Sequence, residues 1–206
     1  MEETRRERKK RQTRHLLIQA AVRLFTEQGY EQTTGAQIAA AADVSTKTFF
    51  NYFPSKEDVL FADAERYYGL ALEVIADRAP DDTVPQVLRR CFDRAIGRYL
   101  AQGMWAEEPE MAEIHQRLLA TVPSVQAKAL HVMLGAQRRI ADALLKAFPD
   151  RLDPISAAAA TGAFMGAVQA AGLAGVEMYG ESEQDYLAAM GRAADIVIRG
   201  LDSLTG

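Results

Sequence analysis

Residues 33–56 read TTGAQIAAAADVSTKTFFNYFPSK, and the order of polar, apolar and turn-forming residues in this stretch decides the fold. Thr34 followed three residues later by Gln37 is a capping box, in which two side chains satisfy amides left open at a helix start. The short helix it opens has Ile38, Ala39 and Ala42 on its buried side, and Asp43 and Val44 interrupt it. Ser45 then caps a second short helix through Phe49, Phe50 and Phe53, which ends at Pro54 because a proline ring cannot continue the ladder. Two short helices joined by a tight turn, the second opening in small polar and basic residues, are the layout of a helix-turn-helix, whose second helix lies in the major groove of DNA. Base edges and phosphates are met there by short donors near the helix N-terminus, where open backbone N–H groups also attract phosphate. Ser45, Thr46, Lys47 and Thr48 are such donors, and Asn51, Tyr52 and Lys56 continue them along the same side. Phe49 and Phe53 are expected in the core, since buried aromatics anchor small domains.

Outward from this stretch, nearly every segment reads as helix. Upstream, Leu17, Ala20, Ala21, Leu24 and Phe25 recur with a helical period between Arg8 and Gln28, and Gly29 is a stop signal. Downstream, Ser55 with Asp58 forms another capping box, starting a long amphipathic helix to about Arg78. Pro80 and Pro85 break the pattern. Val84 to Leu100, Glu110 to Ala120, Ser124 to Phe148 and Ile155 to Tyr179 follow as helices, and Ser182 with Asp185 caps a last one to about Leu204. The expectation is an all-α protein of about nine helices, with no strand and no internal repeat.

The 206 residues carry a net charge of −4, with 49% hydrophobic and 25% charged residues, the balance of ordinary soluble domains. The average hides an asymmetry: residues 1–56 hold ten Lys or Arg against six acids, and residues 57–206 hold fourteen against twenty-two. A basic head on an acidic body suits a nucleic-acid reader joined to a different module, which places the domain boundary at residue 56. The run Arg5 to Arg14 reads as a flexible basic tail, with reach to a neighbouring groove or phosphate as its second reading. No secretory signal is apparent, and apolar stretches are interrupted short of the ~18 residues that span a bilayer, so a cytoplasmic chain without a membrane partner is expected. Cys91 is alone, and His15, His115 and His131 show no metal-ligand spacing, so neither a disulfide nor a metal or cofactor site is expected. With no nucleophile elbow, phosphate loop or ordered acid–base set, an enzyme is not expected.

The segment TRHLLIQAAVRLFTEQGYEQTTGAQIAAAADVSTKTFFNYFPSKEDVL, residues 13–60, resembles the N-terminal domain of the TetR (tetracycline-repressor-like) family of bacterial transcriptional regulators. LF, then GY, TT, IA, VS, a threonine before an aromatic pair, and NYFPSKE occur in the family's order. The resemblance implies a three-helix DNA-binding domain followed by a larger helical domain for effector binding and dimerisation. It implies phosphate contacts from Thr33 and Thr34 and from Lys56, and groove contacts from Ser45, Thr46, Lys47, Thr48, Phe50, Asn51 and Tyr52. The sequence departs from the family pattern at Asp43 and Lys47, where glycine is common, at Phe50, where tyrosine is usual, and at Gly35 and Ala36.

One recognition helix reads few base pairs, so a dimer on a palindromic operator is expected. Gly162, Gly166, Ala170 and Ala174 form a smooth ridge, and Leu187, Met190, Ala194, Val197, Ile198 and Leu201 a stripe on the last helix. The resemblance makes these two helices the dimer interface. Tyr67, Phe92, Tyr99, Met104, Trp105, Met111, His115, Met133, Phe164 and Gln169 are candidates to line a pocket for a lipophilic or aromatic effector. The function expected is thus a homodimeric, ligand-relieved repressor. The alternative is a small-molecule carrier or interaction protein whose DNA reader is weakened at Gly35, Ala36 and Phe50.

Overall fold

The structure, a computed structural model, describes residues 4–62, 64–102, 109–179 and 183–202. Ten helices and no strand occur among them: α1 (Arg5–Glu27), α2 (Gly35–Ala41), α3 (Thr46–Tyr52), α4 (Glu57–Leu60), α5 (Ala64–Ala76), α6 (Val84–Gln102), α7 (Pro109–Thr121), α8 (Pro123–Ala147), α9 (Pro154–Tyr179) and α10 (Glu183–Asp202). Proline opens three of them, α7, α8 and α9, at the position where its missing N–H would have no helical partner anyway. The helix expected from Ser55 to Arg78 is instead two. Asp58 accepts from both the amide and the hydroxyl of Ser55, but the turn so made is short and ends at Phe61. The expected cap at Ser182 lies outside the described residues.

The chain divides into two units, residues 1–63 with 102–131, and residues 64–101 with 132–206. The expected boundary at residue 56 leaves out this return of the chain: α7 and the first turns of α8 pack with the basic head. There Leu17, Ala21 and Phe25 of α1 meet Ile38, Phe49, Val59 and Leu60, and Met111, Ile114 and Leu118 of α7 with Val125 complete the core. Each of the larger side chains contributes ~1.5–3 kcal/mol by leaving water. The Lys128 ammonium pairs with the Asp58 carboxylate, joining α8 to α4 within this unit.

In the second unit Ile75, Val87, Leu88 and Phe92 pack against Ile140, Leu144, Phe148, Phe164 and Ala194. Helices α9 and α10 approach closely where glycine leaves room: a Cβ at Gly172 would lie 3.3 Å from the Tyr186 ring, and one at Gly175 3.4 Å from the Ala189 methyl. The expectation that no apolar run reaches bilayer length fails for α9. Its segment Pro154–Gly172, 19 residues of mean hydropathy 1.2, is long and apolar enough, and only 28% of it is buried in the single chain. Met190, Val197, Ile198 and Leu201 of α10 pack around the buried Ala194 on this unit's own core. Five of the six residues of the stripe expected at a dimer interface thus touch this unit's own core, and Met190, Val197, Ile198 and Leu201 stay half-buried.

Candidate nucleic-acid interface

The turn between α2 and α3 is a Schellman closure. The Val44 amide donates to the Ala39 carbonyl at 3.0 Å and the Asp43 amide to the Ala40 carbonyl at 3.1 Å. This geometry needs a left-handed residue at Asp43, whose φ is 54°, and Asp tolerates that region better than most side chains. Ser45 then caps α3, its hydroxyl oxygen accepting from the Thr48 amide at 3.0 Å. At the start of α2, Thr34 and Gln37 form the full reciprocal box, at 3.2 and 2.8 Å. Both caps expected from the sequence are present.

Below α3, Phe49 is fully buried and Phe53 nearly so, their ring centroids 5.9 Å apart. Anchoring those two rings turns the rest of the helix outward: Ser45, Thr46, Lys47, Phe50 and Asn51 are exposed, Thr48 and Tyr52 half-buried. Donors of three kinds, hydroxyl, ammonium and carboxamide, thus stand within two turns of one exposed helix face, the complement that hydrogen-bonds base edges and phosphates. Phe50 is 50% exposed and stands edge-on to Phe49, centroids 5.2 Å apart at 85°. An aromatic edge in a groove makes apolar contact, as thymine methyls require.

Gly35 explains one departure from the family pattern. A Cβ there would sit 2.7 Å from Cε1 of Phe49 and 3.3 Å from Cζ of Phe50. The two phenyl rings occupy the space that a larger residue would need.

Two expected phosphate contacts face inward. Thr33 is fully buried, and its hydroxyl donates to the Gly29 carbonyl at 2.8 Å while accepting from the Gln28 amide group. It closes the turn between α1 and α2 and has no surface to offer DNA. The Lys56 ammonium donates to the carbonyls of Tyr30 at 2.8 Å and Thr33 at 3.1 Å and lies 4.1 Å from the Tyr30 ring centroid. Two of its three N–H groups are spent holding that turn. The Tyr30 hydroxyl in turn donates to Glu57 at 2.6 Å, and burial followed by this bond pushes the phenol well above its usual range. Burial raises the Glu57 carboxyl, but the Tyr30 bond and further hydrogen bonds outweigh it and hold the group below its ordinary value. The sequence carries no signal for this lock, because its members are 26 residues apart and joined through backbone carbonyls.

The residues expected to line one pocket divide between the two units. Met111 is fully buried in the head unit's core, and His115 stands edge-on to Phe61 there, at 5.1 Å. Burial keeps the His115 imidazole below its ordinary pKa. Phe92 and Phe164 meet edge to face in the second unit, at 6.4 Å. Tyr99 and Met133 are half-buried and Gln169 is exposed. Met104, Trp105 and the side chain of Tyr67 lie outside the described residues. A cleft of about 530 Å³ opens beside the start of α6, lined by Asp82, Thr83, Gln86, Arg89, Arg90 and Ile198 among others. Its arginines are already paired, Arg90 with Asp82 and Arg89 with Asp93 and Asp195.

A helix-turn-helix with an exposed second helix makes the first unit a candidate DNA reader, and known proteins are similar to it there. Residues 17–62 match the sequence model described as "Bacterial regulatory proteins, tetR family". The chain is 32% identical over 136 residues to the HTH-type transcriptional regulator TcmR of Streptomyces glaucescens, covering 66% of this chain and 60% of that one. It is 54% identical over 48 residues to HbdR of Aromatoleum sp. (strain CIB), 23% and 21% of the two lengths. The alignments thus span three fifths of TcmR and about a fifth of HbdR. Among solved structures, Thermus thermophilus FadR, a TetR-family transcriptional repressor in complex with lauroyl-CoA, is similar with a TM-score of 0.57 and 27% identity, over 91% of this chain and 94% of that one. The chain is thus similar to TetR-family regulators, with the family's sequence pattern in residues 17–62.

Proposed function

We propose that this chain is a sequence-specific DNA-binding transcriptional regulator: a homodimeric repressor whose hold on a palindromic operator is relieved by a small-molecule effector. The observation that carries this reading is the exposed face of α3, where Thr46, Lys47 and Asn51 stand out from a helix fixed by buried Phe49 and Phe53. The relatives are regulators of transcription rather than enzymes, and such a protein works in the bacterial cytoplasm beside its DNA.

Dimerisation is supported by what α9 leaves uncovered. Ile155 is 82% and Met178 71% exposed, and a Cβ at Gly162 or Gly166 would meet nothing within 4 Å. Ala170 and Ala174 are exposed on the same helix. An apolar helix with so little burial is stabilised by a second copy. The lauroyl-CoA bound by the similar FadR supports a lipophilic effector.

Selection of duplexes from a random pool tests the reading. The chain should enrich a two-fold symmetric sequence, and Lys47→Ala and Thr48→Ala should each weaken binding to it by roughly 1–3 kcal/mol. Failure to enrich any sequence, or binding unchanged in both variants, refutes it. Sedimentation at micromolar concentration should give a dimer.

A further inference from the structure

The run Arg5 to Arg14, expected to be a tail, is the first three turns of α1. Thr4 caps it: its hydroxyl oxygen accepts from the Glu7 amide at 3.2 Å, and its own amide donates to the Glu7 carboxylate at 2.8 Å. This cap occupies the segment's one acid. Seven of the chain's 24 Lys and Arg lie here, at 5, 6, 8, 9, 10, 11 and 14. Residues 5–12 are exposed, and the first buried side chain of the helix is Leu17. At 1.5 Å per residue, about 12 Å of solvated helix therefore precedes the packed part.

Three features narrow what this helix is for. Cations recur at helical i,i+4 spacing, Arg5 with Lys9 and Arg6 with Lys10, and such like-charge pairs oppose helix formation. At 100° per residue the seven charges fall all around the axis, and no apolar residue occurs between Arg5 and His15. A helix without an apolar face can neither lie in a membrane interface nor fill a protein groove, since both modes bury a hydrophobic stripe. Charge on every side suits a partner that presents anions on more than one side, as the two phosphate strands of a duplex groove do. The helix also leaves the head beside the reading helix. Arg14 donates to the Ala62 carbonyl, and its guanidinium lies 5.4 Å from the ring centroid of Phe53, the residue that ends α3.

We propose that Arg5–Arg14 is a second DNA contact, a rigid cationic extension of α1 that grips backbone phosphates flanking the sequence read by α3. This rests on the head being a DNA reader. It adds affinity and footprint without adding base preference, because phosphates are the same at every sequence.

The test uses the full chain and a variant carrying Arg5→Gln, Arg6→Gln, Lys9→Gln and Lys10→Gln. Glutamine is a good helix former, so the helix stays while four charges leave. Circular dichroism should show equal helicity and an equal or higher melting temperature. Affinity is then measured by fluorescence anisotropy against a selected duplex with long flanks, at several salt concentrations. The slope of log K against log salt should become shallower by about 2–4, at roughly 0.9 for each phosphate that a protomer no longer neutralises. At low salt the variant should bind tenfold or more weakly, keep the wild-type base preference, and match wild type on a duplex trimmed to the preferred sequence. Coinciding salt slopes on the long duplex overturn the proposal. If the variant loses binding to structured RNA or to anionic vesicles while those DNA slopes coincide, the extension serves another polyanion and the proposal is again overturned. A wild-type chain that selects no sequence but binds duplexes with the steeper slope overturns the reading of the head alone; one that binds no duplex overturns both.

Discussion

Gly35→Ala inverts the usual effect of filling a helical glycine. Alanine at a position without a positive φ ordinarily stabilises by about 0.5–1 kcal/mol, because it removes freedom from the unfolded chain. At Gly35 the new methyl would stand 2.7 Å from Phe49 Cε1 and 3.0 Å from Cδ1, where carbon atoms settle at about 3.5–4.0 Å. The ring cannot swing aside cheaply: Phe49 is fully buried, with Phe50 at 5.2 Å and Phe53 at 5.9 Å. Overpacking of this kind costs roughly 1–3 kcal/mol, which offsets or exceeds the entropic gain and leaves a net loss of about 0–2.5 kcal/mol. Gly135→Ala in α8 is the matched control, since a Cβ there meets nothing within 4 Å. Urea denaturation followed by circular dichroism should show Gly135→Ala more stable than wild type and Gly35→Ala less stable. Operator affinity should fall only in Gly35→Ala, because Phe50 lies on the exposed side of α3 that is proposed to meet DNA. Equal stabilisation by the two substitutions would refute the argument, since α2 and α3 would then have room that the ring positions deny.

Lys56→Met keeps the stem but removes the donors to the Tyr30 and Thr33 carbonyls, and should lower stability by about 1–2 kcal/mol while weakening binding to every DNA sequence. A shallower salt slope with unchanged stability would mean instead that Lys56 meets phosphate. Burial lowers the His115 pKa, so as pH falls through about 6.5, the ordinary value, the unfolded chain binds a proton more readily than the folded chain. Stability should therefore fall between pH 7.5 and 5.5, and His115→Leu should reduce that fall; equal pH dependence in melting curves of the two proteins would count against it.

The head was legible in the sequence to the extent that its determinants are local. Capping boxes at Thr34 and Ser45, a left-handed Asp43 and the Pro54 stop each act within a few residues, and short-range spacing exposes them. The surroundings of Thr33 and Lys56 were not legible, for the opposite reason. Whether a threonine hydroxyl or a lysine ammonium faces solvent depends on which carbonyls the fold brings near it, here Gly29, Tyr30 and Thr33. The contribution of α7 to the head core was hidden likewise: Met111, Ile114 and Leu118 have the spacing of any amphipathic helix, and only tertiary contact says that α1 is what they cover.

Helix α9 marks where pattern reading stops. Periodicity assigns a face only when polar and apolar residues alternate, and this helix is alanine, glycine and apolar residues nearly all round. The structure divides what the sequence leaves uniform. Ala157, Ala160, Thr161 and Phe164 are covered by the chain itself, and Thr161 spends its hydroxyl on the Ala157 carbonyl at 2.8 Å. Ile155, Ala159, Ala163 and Ala170 are left open. The small residues then have two different physical roles on one helix: at Gly172 and Gly175 they admit α10 of the same chain, whereas a Cβ at Gly162 or Gly166 would meet none of the described residues within 4 Å. A substitution such as Gly166→Leu therefore separates those roles. It should leave the melting of the isolated protomer unchanged while shifting sedimentation from dimer to monomer, because its side chain enters space that only a second copy would fill.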